Sequence, residues 1–289
     1  MIGARGAVAE SVPSASLMKN TFRPGAVGDA ISAAATAVAG FRNWPTYFVH
    51  YFGLTPQRYM EIRLRRERLR VRSVGHGAEF LSLYRLMFEE DEYRLRHYGL
   101  SAGETIIDIG AHIGWFTLSA AARVPRARIL SYEPNPENYR LLLDNLRLNS
   151  LTGVLAFEMA VSDKIGTATL SVDKGPIARS TEGTLFPENL LSSGAQSSYR
   201  VATITLDEIL RANGVERCAL VKMDCEGAEH EILTAASDET LARIERLSVE
   251  AHFLNAQLGT RSLMALLAAR GYRVEKGGRW GNIVYAVRT

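Results

Sequence analysis

The chain has 289 residues, a net charge of +3, a hydrophobic share of 47% and a charged share of 22%. That length is long for one average domain and short for two, and the composition excludes a collagen, a coiled coil and a wholly disordered chain. So small a net charge does not by itself call for a nucleic-acid partner, and two cysteines, Cys218 and Cys225, exclude a disulfide framework and a cysteine zinc site.

Residues 1–25 mix Ser, Pro, Gly and Ala and read as a flexible tail. Residues 26–98 read as an N-terminal helical extension. Within it, 26–70 are helical with breaks near Pro45 and Pro56, and 80–98 hold one or two short helices with Leu and Met at helical spacing. No run reaches the roughly 18 apolar residues of a membrane span. The Ala-rich stretch at 26–41 contains Asp29 and lacks the basic start and cleavage site of a signal peptide, so a cytoplasmic location is the expectation. Residues 58–72 carry seven Arg against Glu61 and Glu67. The stretch fits a solvated helix face or, more sharply, a surface for an anionic substrate, carrier or membrane. The aromatic run Phe41, Trp44, Tyr47, Phe48, Tyr51 and Phe52 is too dense for a free linker. The extension is therefore expected to cover the mouth of a site or to make a homodimer contact.

From Thr105 the pattern changes to short β-rich runs alternating with helical ones. Strands are expected at 105–109, 128–132, 154–159, 166–172, 219–224, 246–252, 272–275 and 283–287. Helices are expected at 115–122, 136–149, 206–212, 228–236 and 262–270. This alternation predicts an α/β domain over 99–289, a mostly parallel sheet with helices on both faces. The last two strands flank a Gly277-Gly278 turn and must run antiparallel. Residues 174–200 are rich in Gly, Ser and Pro, too long for a plain connector, and read as an insertion.

Five clusters carry chemistry. Asp108-Ile109-Gly110-Ala111-His112-Ile113-Gly114 follows a strand and precedes a helix. A dinucleotide loop would place a pyrophosphate at that helix. Asp108 would repel it, whereas an acid suits a ligand with cationic groups and no phosphate, such as S-adenosylmethionine. Glu133, in Tyr132-Glu133-Pro134-Asn135-Pro136, lies one strand–helix–strand step further on and could accept from both ribose hydroxyls. Ser162 and Asp163 follow the third strand, where an adenine would lie; Asp163 suits the adenine amine or the capping of a turn. In Lys222-Met223-Asp224-Cys225-Glu226-Gly227-Ala228-Glu229, Lys222 and Asp224 share a strand face and Asp224 reaches the carboxyl edge of the sheet. Glu229 also suits the positive end of the next helix. Glu250 and His252 share the face of the following strand.

Together with Asn145 and Asn149, these clusters resemble the FkbM-type S-adenosylmethionine-dependent methyltransferases over roughly residues 83–289. Their most specific part is Lys-x-Asp-x-Glu-Gly-x-Glu at 222–229. The resemblance implies the class I methyltransferase (Rossmann-like) sheet of seven strands with a reversed last strand. It implies methyl transfer, usually to a hydroxyl of a sugar, polyketide or other secondary metabolite. His112 stands where Asn is commoner in that family.

The expected function is therefore O-methylation of a small-molecule hydroxyl. Asp108, Gly110, His112, Gly114, Glu133, Asn135, Ser162, Asp163 and Asp224 are the cofactor-binding candidates. Asp224, Glu226, Glu250 and His252 are the candidates for the base. Asp224, Glu250 and His252 could instead hold a divalent cation such as Mg²⁺, the less favoured reading. The alternatives are a nucleic-acid, protein or peptide methyltransferase, or a non-catalytic nucleotide-binding module. Against nucleic acid, the strand at 219–224 runs into Asp224-Cys225-Glu226-Gly227 and not into the Asn/Asp-Pro-Pro-aromatic turn that stacks a base.

Overall fold

A computed structural model of the chain describes residues 26–74, 77–173, 183–185, 196–252 and 259–289. The tail expected at 1–25 and most of the insertion expected at 174–200 lie outside the described residues.

The extension begins with α1 (Ala26–Gly40) and α2 (Trp44–Tyr51), but it does not stay helical. The arginine-rich stretch forms an antiparallel hairpin, β1 (Tyr59–Arg63) and β2 (Arg70–Val74). Its period is two: Met60, Ile62 and Leu64 are buried while Arg63 and Arg65 face solvent. Long cationic side chains at the intervening positions obscure that alternation in the sequence. The hairpin is fastened to α6 (Pro136–Leu148) by two amides. Asn145 Oδ1 accepts from the Arg72 N–H (2.6 Å) and its Nδ2 donates to the Arg72 carbonyl (3.0 Å). Asn149 does the same to Arg70 at 2.8 and 2.7 Å. These side chains satisfy the outer edge of β2 as a neighbouring strand would. Arg70 and Arg72 also pair with Glu61, and Arg72 with Asp144. Next come α3 (Gly77–Tyr84), a π-helical turn over Arg85–Glu89 and α4 (Leu95–Tyr98).

The main sheet takes its strands from β3 (Thr105–Ile109), β4 (Arg128–Tyr132), β5 (Val154–Phe157), β10 (Leu220–Met223), β11 (Arg246–Glu250), β12 (Tyr272–Gly277) and β13 (Ile283–Arg288). Their order is β12-β13-β11-β10-β3-β4-β5, with β13 alone running against its neighbours. This is the mostly parallel seven-stranded sheet with a reversed last strand, as expected. Strand order turns back beside β3, which opens a crevice at the carboxyl ends of β3, β4 and β10. One face packs Ile107, Ile109, Val221, Met223 and Val249 against α7 (Leu206–Ala212), α8 (Glu229–Ala235) and α10 (Thr260–Ala269). The other packs Ile106, Ile129 and Leu220 against α5 (Trp115–Arg123) and Tyr93. Two further elements escape the sequence pattern: α9 (Asp238–Ala242) and β9 (Gln196–Ile204). β9 pairs with β7 (Gly166–Asp173) in a small side sheet with β6 (Ala160–Val161) and β8 (Gly183–Thr184). Leu170 and Val172 of β7 are buried there, in a small cluster with Ala160 and Val201.

Candidate active site

A row of polar side chains crosses the buried sheet. In register, Ser131 lies beside Asp108, Asp108 beside Lys222, and Lys222 beside Ser248. Alternation puts all four on the α5 face, and none is more than 3% exposed. Asp108 Oδ2 accepts from the Thr117 hydroxyl (2.6 Å) and Oδ1 lies 3.3 Å from Lys222 Nζ. Lys222 Nζ also donates to the Gly110 carbonyl (2.8 Å) and lies 3.6 Å from Asp224 Oδ2. Burial alone would lower the Lys222 pKa, but Asp108 and Asp224 outweigh it and hold the ammonium charged. Asp108 therefore lies beneath the crevice, as the counter-ion of Lys222, and outside its wall.

The crevice itself is a cleft of about 170 Å³. Its floor is Gly110, Ala111, His112 and Glu133, and its far side is Lys222, Asp224, Cys225 and Glu226. Gly110 and Ala111 both donate N–H bonds to the Tyr132 carbonyl at 3.0 Å, which brings the first loop against β4. Gly110 has φ +75, and a Cβ there would lie 1.8 Å from the Asp224 carbonyl oxygen. This glycine thus allows two loop backbones to touch, a different need from room for a ligand. Gly114, at φ +97, seats α5 against Leu142 of α6. His112 takes a positive φ and donates its N–H to Glu133 Oε2 (2.7 Å).

Glu133 ends β4 almost fully buried. Its Oε1 accepts from the Asn135 N–H (2.9 Å), and Asn138 hydrogen-bonds the same carboxyl group. Burial pushes its pKa up to about 7, against these hydrogen bonds and the charge of Lys222. These three donors use three of the carboxylate's roughly four lone-pair sites and leave one for a further donor. Asn135 caps α6 by accepting from the Glu137 N–H (2.9 Å). The asparagine in the cleft wall is Asn138, one turn further along. Ala160, Val161, Leu170 and Leu185 close the cleft with apolar surface. Ser162 and Asp163 lie just beyond it, Ser162 donating to Asp163 (3.0 Å).

The acids gather on the opposite side. Tyr93, buried in the segment between the π-helical turn and α4, places its hydroxyl 3.2 Å from Asp224 Oδ2 and 3.0 Å from Glu250 Oε2. A phenol has one proton, so the second contact needs a proton on one carboxyl group. Of the two acids Glu250 is the one with the raised pKa, pushed up to about 7 by burial and the neighbouring Asp224. Burial also raises Asp224, but Lys222, His252, the Tyr93 hydroxyl and His112 outweigh it and keep Asp224 below the usual carboxylate range. His252 Nδ1 donates to Glu229 Oε1 (2.8 Å), and Nε2 lies 3.3 Å from Glu226 and 3.8 Å from Asp224. Burial would lower the His252 pKa, but Glu229, Glu226 and Asp224 raise it well above the ordinary imidazole value. Glu229 also accepts from the Cys225 and Gly227 N–H groups (3.1 and 3.2 Å), so it pins the loop that carries Asp224 and Glu226.

Ligand atoms of Asp224, Glu226 and His252 lie within 4.8 Å of one another and could hold a cation. Glu226 takes the place expected for Glu250, whose oxygens are held by Tyr93 and by Asn282 (2.8 Å). No sequence motif points to Tyr93 or to the wall residues Glu79, Leu83, Met87 and Trp115. Tyr93, Glu79, Leu83 and Met87 come from the extension, where helical spacing speaks only of packing.

The family model described as "Methyltransferase FkbM domain" matches residues 108–274. The chain is 30% identical over 196 residues to "Methyltransferase sdnD" of Sordaria araneosa, covering 60% of this chain and 74% of that protein. It is 26% identical over 231 residues to "31-O-demethyl-FK506 methyltransferase FkbM" of Streptomyces tacrolimicus, covering 70% and 86%. It is 26% identical over 164 residues to "Hexuronic acid methyltransferase AglP" of Haloferax volcanii, covering 57% and 62%.

Proposed function

The chain belongs to the FkbM methyltransferase family, and on that premise we propose that it moves a methyl group from S-adenosylmethionine to a hydroxyl of a small molecule in the cleft. The chain is an enzyme of the methyltransferase class; the site residues and the acceptor are our reading. S-adenosylmethionine, when bound, supplies a methyl group activated on a sulfonium.

The cleft has the donor and acceptor set this cofactor needs. Glu133 offers a buried carboxylate with an acceptor site left for a ribose hydroxyl. Ala160, Val161, Leu170 and Leu185 offer apolar walls for a flat ring, and Glu226 offers an anionic oxygen for a cationic group. The single observation that carries the reading is that Glu133, after β4, and Asp224, after β10, line one cleft from the two sides of β3.

The acceptor hydroxyl is a poor nucleophile at neutral pH and must lose its proton as it attacks. Asp224 is the group we assign to take it. Lys222 and the Tyr93 hydroxyl hold this carboxylate ionised, and Tyr93 fixes its orientation. The His252 imidazolium lies 3.8 Å from the other oxygen of Asp224, Oδ1. Met87, Leu83 and Trp115 exclude water from that side of the cleft. The relative named for 31-O-demethyl-FK506 supports an oxygen acceptor, and the one named for hexuronic acid supports a small molecule.

The test is incubation with S-adenosylmethionine and a panel of hydroxylated metabolites, read by mass spectrometry for the gain of one methyl group. Transfer to oxygen is expected; transfer only to nitrogen or to a macromolecule would overturn the acceptor class. A second reading has one observation in its favour, the spacing of Asp224, Glu226 and His252. Loss of turnover on chelation, restored by Mg²⁺, would favour it over a metal-free base.

A further inference from the structure

The arginine-rich hairpin turn and the face of α2 beside it play no part in the cleft chemistry. α2 carries an aromatic strip whose ends, Trp44 and Phe52, are exposed and whose middle, Phe48, is half-buried against the core of the extension. Trp44 contacts Phe48 (ring centroids 5.9 Å apart), Phe48 stacks on Phe52 (6.2 Å) and Phe52 meets Tyr51 (5.1 Å). At 1.5 Å per residue the strip runs about 12 Å from Trp44 to Phe52. It continues into a loop where Phe52 is 63% and Leu54 73% exposed. Leaving such side chains in water is costly, and contiguous exposed apolar surface marks a contact site.

The chemistry beside the strip says what the contact is. Arg42, next to α2, donates its N–H to the Arg63 carbonyl, so the two arginines stand together at the Trp44 end. The turn of the hairpin then adds Arg66 and Arg68, which outnumber its Glu67. Arg42, Arg63, Arg66 and Arg68 are exposed, and none pairs with a carboxylate among the described residues. Arg70 and Arg72 are the contrast, being tied to Glu61 and Asp144.

We propose that the outer face of α2, the loop after it and the turn of the hairpin dock this enzyme on an anionic lipid bilayer. Trp, Phe and Leu enter the interface while arginines meet the headgroups. Among the described residues no helix is long and apolar enough to cross a membrane, which fits lying on the bilayer. A second copy of the chain would bring like charges together, and a nucleic acid would leave Phe52 and Leu54 without a partner. The inner face of α2 packs on α3, whose Glu79 and Leu83 line the cleft, so one helix stands between the docked face and the active site.

The experiment is co-sedimentation of the full chain with phosphatidylcholine vesicles and with vesicles of equal parts phosphatidylcholine and phosphatidylglycerol. We expect binding to the anionic vesicles at least tenfold stronger than to the neutral ones. Leu54→Glu with Phe52→Glu, and separately Arg63→Glu with Arg68→Glu, should each reduce it tenfold or more. Both pairs are exposed, and melting temperatures check their folding; Leu54→Glu alone serves if the double variant does not fold. Equal binding to neutral vesicles overturns the proposal, as does no binding at all. Binding lost only in the arginine variant would show a charge effect without insertion and would also overturn it. So would a dimer that Phe52→Glu disperses, or tighter binding to an RNA or DNA oligonucleotide than to the vesicles. S-adenosylmethionine binding, measured on the same preparations, tests the catalytic reading separately.

Discussion

Replacing Glu133 by Gln removes one charge at constant shape. The wild-type carboxylate accepts from the His112 and Asn135 N–H groups on different oxygens, so an amide must turn its NH₂ toward one of those donors. It also loses a charged acceptor for the ribose. Hydrogen bonds to a charged group are worth about 1.5–3 kcal/mol, which converts to a roughly 10- to 150-fold weaker dissociation constant for S-adenosylmethionine. A second signature follows from pH. Burial holds the Glu133 pKa near about 7, while the N–H bonds and Lys222 pull the other way. Donation from a ribose hydroxyl favours the ionised form, so binding lowers this pKa and releases a proton. Affinity is then fully present above about pH 7 and falls as pH drops through it, approaching tenfold per unit. Calorimetry from pH 6 to 8 on both proteins is the assay, and the ratio of their constants cancels the titration of the ligand itself. The ratio should shrink toward acid pH. A Glu133→Gln protein with wild-type affinity, or a ratio independent of pH, would refute the assignment of Glu133 to the ribose.

Asp224→Asn should leave the cofactor dissociation constant within a few-fold and cut turnover by about 10²–10⁴, the range for a positioned base; affinity and turnover falling together would instead assign Asp224 to the cofactor. Tyr93→Phe should keep the fold and cofactor binding while slowing turnover, because the ring stays packed against Phe116 and only the link between Asp224 and Glu250 is lost. Steady-state kinetics beside calorimetry will show the split, and unchanged turnover would remove Tyr93 from the site. Gly110→Ala should destabilise the protein by roughly 2–5 kcal/mol, from a left-handed backbone and overpacking, since its Cβ would meet the Asp224 carbonyl. A melting temperature equal to wild type would contradict that contact.

The sheet was legible because its strands are short apolar runs set between helical ones, a local signal. The acids at the strand ends were legible because ionisable residues beside apolar runs are costly unless used. What joins them was not. Asp108 meets Lys222 only through the register of β3 and β10, which no spacing along the chain encodes. That pairing turns an expected ligand contact into a buried ion pair. Asn135 and Asn138 lie on one helix start, and only the cap geometry separates the one that ends the helix from the one that faces the cleft. Tyr93 contributes to the site from 131 residues away in sequence. The hairpin hid behind its arginines, whose long stems cover apolar surface while their heads stay in water.

The claim that one cleft holds both the cofactor and the proton-accepting acids is tested most directly by a crystal structure with S-adenosylhomocysteine bound. The ribose should sit on Glu133, the adenine between Ala160, Val161 and Leu170, and the sulfur should face Asp224 and Glu226. A ligand bound elsewhere, or a sulfur turned away from those acids, would contradict it.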